Sequence, residues 1–169
     1  MSRSLLSLIA CALCLLAVGV ARADNSLAKS PEFTIDVMPV LSKAGCNLGT
    51  CHGNLNGKGG LKLSLRGQDP EFDYRSLVLA ARGRRVNIST PKQSLFLEKA
   101  TGGIAHGGGT RITKPSTAFD LLTDWIRGGA AGPSSDAATL VALDVNPTSA
   151  IVAAPENKLQ IRVEAMFSD

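Results

Sequence analysis

Two cysteines and a histidine in the stretch GCNLGTCHG, residues 45–53, constrain this 169-residue chain more than any other feature. Cys46 and Cys51 are five positions apart, and His52 follows directly. On a regular helix, a separation of five rotates two side chains by roughly 140°. The two thiols therefore cannot face one object from an unbroken helix, and the segment between them must loop out. Gly49, free of the steric limits of a Cβ, is well placed to let it bend.

The leader decides how isolated this pair is. Residues 1–23 combine Arg3, an apolar run from Leu5 to Val20, and the small-x-small site Ala21-Arg22-Ala23. This is the pattern of a secretory signal peptide. Leu8-Ile9-Ala10-Cys11 loosely resembles a lipoprotein cleavage box, but too few apolar residues precede it. The expected mature chain is exported, periplasmic or on the cell surface, and no later run is long enough to span a bilayer. Cleavage removes Cys11 and Cys14, leaving Cys46 and Cys51 as the only cysteines and His52 and His106 as the only histidines. It also removes Arg3 and Arg22, so Lys+Arg falls from 18 to 16 against 14 Asp+Glu, a net charge of +2. That mild excess gives no argument for a nucleic-acid partner.

Periodicity and turn chemistry divide the remainder. Phe33, Val37, Val40 and Leu41 lie on one helical face, with Pro39 set to kink that helix or confine it to a short first turn, and Gly45 ends it. Asn54–Gly60 (NLNGKGG) reads as a loop. Leu61, Leu63 and Leu65 alternate with polar residues, as in a short strand or extended piece. Asp69-Pro70 is a helix start, and that helix runs to about Ala81, before the basic turn Arg82-Gly83-Arg84-Arg85. Thr90-Pro91 or Ser94 opens a helix carrying Leu95, Phe96 and Leu97. The glycine-rich loop IAHGGGTRI follows. Ser116 or Thr117 caps a last helix with Phe119, Leu122, Trp125 and Ile126 on one face, closed by Gly128-Gly129. Beyond Gly132, Leu140–Val145 and Lys158–Phe167 read as strands. Residues 138–169 are too few for a complete sandwich of about 100 residues, which points to a larger multidomain context.

Three chemistries fit the cysteine segment. The usual covalent haem signature is C-x-x-C-H, in which both thiols join the haem vinyl groups and the histidine binds iron; here the spacing is two residues longer. A Cys46–Cys51 disulfide closing a small loop needs no role for His52. Structural zinc wants four nitrogen or sulfur ligands, and Cys46, Cys51, His52 and His106 supply that number at unusual spacing. The HGGG sequence has the form of an esterase oxyanion loop, but no G-x-S-x-G nucleophile elbow accompanies it. GNLNGKGG is no P-loop, because Lys58 is not followed by Ser or Thr. Aromatic residues are only 4% of the chain, and a buried cofactor could supply apolar bulk to so small a core.

Three stretches together, FTIDVMPVLSKAGCNLGTCHG, SLFLEKATGG and LLTDWIRGGA, resemble planctomycete-type cytochrome c domains of large exported proteins. The strands after Gly132 resemble the opening of a bacterial immunoglobulin-like domain. The resemblance covers about residues 31–132, with a weaker extension to 169. It implies a mainly α, class I cytochrome c-like domain followed by an incomplete immunoglobulin-like β segment. It further implies covalent haem c on Cys46 and Cys51, His52 as an iron ligand, electron transfer rather than catalysis, and redox partner proteins. Arg82, Arg84 and Arg85 are then candidates for pairing with haem propionates or with a partner's acidic face. Members of that family commonly place a Met-Pro-Pro segment before the last helix, and its Met binds iron. This chain has IAHGGGTRI there, so His106 is the expected distal ligand, giving a bis-histidine iron of lower potential than a Met-ligated one. With His106 on the surface instead, the iron would be five-coordinate. The competing expectation is a cofactor-free surface or adhesion module, stapled by a Cys46–Cys51 disulfide.

Overall fold

The computed structural model describes residues 30–155 and 158–168; the leader at 1–23 lies outside the described residues. The chain enters the fold through a reciprocal cap. The Glu32 carboxylate accepts from Ile35 N–H at 2.8 Å, and Glu32 N–H donates to Asp36 Oδ2 at 2.7 Å. A wide π turn, Phe33–Val37, leads into α1, Met38–Lys43. Met38 N–H reaches back five residues to Phe33 O. Pro39 has no N–H with which to continue the ladder, so the winding changes where the proline sits. Of the predicted face, Phe33, Val37 and Leu41 are fully buried and Val40 is half-buried against them.

Asp69 caps α2, Pro70–Tyr74, by accepting from Phe72 N–H at 3.0 Å. The helix then widens into a π turn, Arg75–Leu79, and tightens into a 3₁₀ turn, Ala80–Gly83. A 3₁₀ turn at Pro91–Gln93 precedes α3, Leu95–Ala100. Ser116 caps α4, Thr117–Arg127, through its Oγ to Phe119 N–H at 3.2 Å. All four residues of the predicted apolar stripe, Phe119, Leu122, Trp125 and Ile126, are buried. Phe33 is the hub that joins first helix to last. Its ring lies 5.6 Å from Trp125 and meets Tyr74 edge-on at 5.4 Å. Trp125 Nε1 donates to Ala131 O at 2.9 Å, which satisfies its one polar atom.

The expected mainly α, class I cytochrome c-like fold with an immunoglobulin-like segment is not what forms. Among the described residues helix accounts for 35% and strand for 11%, a small mixed α/β arrangement. The reason is local. The helices run only 5 to 11 residues, and Gly45, Gly83 and Gly102, all at positive φ, break the winding between them. The strands β1, Leu140–Asn146, and β2, Arg162–Phe167, make one antiparallel pair with a bulge between Leu140 and Ala142. No residue of either strand is buried, whereas a sandwich packs two sheets over a shared core. The Leu61–Leu65 alternation also stops short of a strand. Among the described residues its ladder is one bridge, Lys58 to Leu61, and Leu65 starts a 3₁₀ turn.

That extended piece is pinned from below. Asp73, fully buried, accepts from Ser64 N–H at 2.5 Å and from Ser64 Oγ at 2.8 Å. The bond ties residues 61–67 to α2 and forms one wall of the site described next.

Candidate functional site

The cysteine segment is folded by backbone bonds. After α1, Gly45 takes φ +76°, and Cys46 N–H closes back on Leu41 O at 2.9 Å. Cys51 and Gly53 N–H both donate to Leu48 O, and His52 N–H donates to Cys46 O at 3.0 Å. This last bond brings His52 back beside Cys46. Asn47, 1% exposed, anchors the loop through its Nδ2 to Ser42 Oγ at 2.7 Å. The glycine that permits the turn is not the expected one. A Cβ on Gly49 would make ordinary contact with Leu65 Cδ1 at 3.8 Å, whereas a Cβ on Gly53 would lie 2.0 Å from Asn47 O. Gly45 and Gly53, at the two ends of the segment, carry the constraint.

Both cysteines are free thiols. Burial, reinforced by neighbouring Cys51, pushes the Cys46 thiol up to about 11, against the opposing pull of Arg111. Its thiolate fraction at neutral pH is on the order of 10⁻⁴, and the thiolate is the form that attacks a disulfide or an oxidant.

His52 and His106, 54 residues apart in sequence, come together. Their rings are 6.2 Å centre to centre and within 9° of parallel. His52 Nδ1 lies 3.1 Å from both Lys58 O and Leu61 O. His106 Nδ1 lies 2.9 Å from Gly109 O. Carbonyls only accept, so each Nδ1 carries a proton, and in the neutral ring Nε2 is then the lone-pair nitrogen. A backbone carbonyl on the second ring nitrogen is the usual support of a metal-binding histidine. Burial chiefly, with smaller contributions from His106 and Arg85, lowers the His52 pKa against the carbonyl bonds to Leu61 and Lys58, which raise it. A Cβ on Gly108 would come within 2.9 Å of His106 Cε1, so the glycine-rich loop folds closely around its own histidine.

These four side chains line one cavity of about 660 Å³, within the range of about 300–1,000 Å³ for small-molecule and cofactor sites. Its apolar wall includes Leu41, Leu63, Leu77 and Phe96. Its polar wall holds Lys58, Arg84, Arg85, Lys99 and Arg111, with no Asp or Glu. No methionine lines it: Met38 is in the core and Met166 lies exposed on β2. Trp125 is a core residue and does not reach the cavity. Of the basic turn, Arg84 and Arg85 line the cavity and Arg82 does not. Sequence reasoning missed Lys58 and Arg111, isolated basic residues in loops, and Lys99, in the last turn of α3.

Among the described residues, no group of three or more His, Cys, Asp or Glu side chains is placed to hold a metal ion, which speaks against a closed zinc site of four protein ligands. A haem iron needs only axial ligands from the protein. The two imidazole rings are stacked rather than aimed at one point, so it is the donor types, two thiols and two imidazoles on one partly apolar cavity, that fit a covalently held haem.

Among the described residues no helix is long and apolar enough to cross a membrane. No known protein family, curated protein or solved structure matches this chain.

Proposed function

We propose that this chain is an exported electron-transfer protein of the c-type cytochrome kind. The observation that carries the reading is the convergence of both free thiols and both imidazoles on one cavity. Cys46 and Cys51 would hold the haem through thioethers, each S–H adding across a vinyl C=C with no leaving group, and His52 and His106 would offer Nε2 to the iron while the carbonyls of Lys58, Leu61 and Gly109 hold their Nδ1 protons. When bound, the iron supplies a one-electron couple, and this protein sets its ligands, burial and orientation. Leu41, Leu63, Leu77 and Phe96 give the cavity an apolar wall, and two histidines in place of a methionine would favour a low potential. The chain is no enzyme in this reading; its partners are redox proteins of the periplasm or cell surface.

Visible absorption tests this. Protein matured in an export-competent host with a haem-attachment system is expected to show a Soret band that survives denaturation. A colourless protein with a Cys46–Cys51 disulfide would overturn the reading in favour of a cofactor-free surface module.

A further inference from the structure

Arg85 is a charged side chain only 6% exposed, and it lines the cavity. Its Nη1 donates to Ser76 O at 3.0 Å and Ala80 O at 3.3 Å, and its Nη2 to Gly60 O at 2.6 Å. Those carbonyls occupy three of its five N–H donors and carry no net charge. The ion pairs among the described residues, Lys114–Glu98, Arg127–Asp124 and Arg162–Glu164, all lie elsewhere. Burying a charge without a counter-charge is costly, and here burial and the adjacent Arg84 both pull the Arg85 pKa down. The other cations on the wall do not help. Lys58 Nζ is held by Thr50 O at 2.6 Å and Lys99 Nζ by Ala105 O at 3.0 Å. A neutral occupant would leave this charge uncompensated, whereas an anionic one offsets it.

We infer that the cavity takes a ligand bearing carboxylates, and that Arg85, with Arg84 beside it, is the seat for them. The inference rests on the haem reading above, in which those carboxylates are the two haem propionates. Arg85 is a positioning residue in this account. Three carbonyls from two separate segments fix its guanidinium before the ligand arrives, so little ordering cost remains on binding. The same three bonds give Arg85 a structural role as well, and the test separates the two.

In the full chain carrying Cys46→Ala and Cys51→Ala, binding becomes reversible and can be followed by the Soret band. Titration with haem and with haem dimethyl ester, which has the same ring and iron but no carboxylates, is expected to show the diacid bound about tenfold or more tightly. Arg85→Gln narrows that gap, Arg85→Lys keeps most of it, and Arg84→Gln, which touches none of the three carbonyl bonds, narrows it in part. A merely structural arginine would weaken both ligands alike. Equal affinity for diacid and ester before any arginine is changed overturns the inference and leaves the haem reading standing. A chain that is colourless with both ligands, and with its cysteines intact, overturns both. Where only the covalent protein is coloured, its midpoint potential reads the same charge: Arg85→Gln lowers it and Arg85→Lys does not, and equal potentials overturn the inference.

Discussion

Gly53 and Gly49 look equivalent in the sequence GCNLGTCHG, and the fold separates them. A methyl group on Gly53 meets a backbone oxygen, Asn47 O at 2.0 Å, that cannot move without opening the loop; one on Gly49 meets a side-chain methyl at 3.8 Å. Gly53→Ala is therefore expected to cost about 2 kcal/mol or more in urea unfolding, and Gly49→Ala to stay within about 0.5 kcal/mol. The opposite ranking would return the hinge to Gly49. His106 gives a second test at this scale. His106→Ala should convert a low-spin spectrum to a high-spin one while the haem stays attached, and an unchanged spectrum would reject it as a ligand. That His106 pairs with His52 was legible only through the absence of a suitably placed methionine. Nothing in the local sequence encodes a 6.2 Å approach across 54 residues; it arises from the tertiary path of the glycine-rich loop.

At the scale of elements, the bond between Ser64 and Asp73 joins an extended segment with no ladder of its own to a short helix. Asp73→Ala leaves the buried Ser64 N–H without its acceptor, an expected loss of about 1–3 kcal/mol. The same residue should give stability a pH dependence. Burial raises the Asp73 carboxyl above its ordinary value of 3.8, against hydrogen bonds from Ser64 that lower it. A folded state that holds its proton more tightly than the unfolded one gains stability that is complete below the ordinary value and is lost as pH rises through the folded one. Urea unfolding across acid to neutral pH should show that decline in the native chain and not in Asp73→Asn; parallel curves would contradict it. The helices were readable where a cap and a stripe coincide. Asp69-Pro70, Ser116 and the Phe119–Ile126 face all stand where the sequence puts them. The fold class was not, because helix propensity does not report how often a chain winds into π and 3₁₀ turns between proline and positive-φ glycine. The Leu61–Leu65 alternation likewise lacked a partner strand, which no periodicity within it reveals.

Across the whole molecule, burial and charge divide the chain differently. Every buried apolar side chain among the described residues falls between Phe33 and Ala130, while the hairpin at 140–167 exposes Leu140, Val141, Leu143 and Val163. Truncation after Ser135 is therefore expected to leave the melting temperature of the remainder nearly unchanged by circular dichroism; a large fall would show that the hairpin supports the core. The expected net charge of +2 after leader removal is small, yet five cations and no carboxylate face one cavity. Placement, not total charge, is what an anionic cofactor or an acidic redox partner would meet, and composition alone does not reveal it. The claim on which the rest depends is that both thiols of one loop hold one haem. Lys43 and Lys58 bracket that loop, so trypsin releases Cys46, Cys51 and His52 in a single peptide. Its mass, measured after maturation in an export-competent host, should exceed that of the bare peptide by one haem, with no thiol left to alkylate. A peptide lighter than the reduced form by two hydrogens, or one that alkylates twice, would contradict the account.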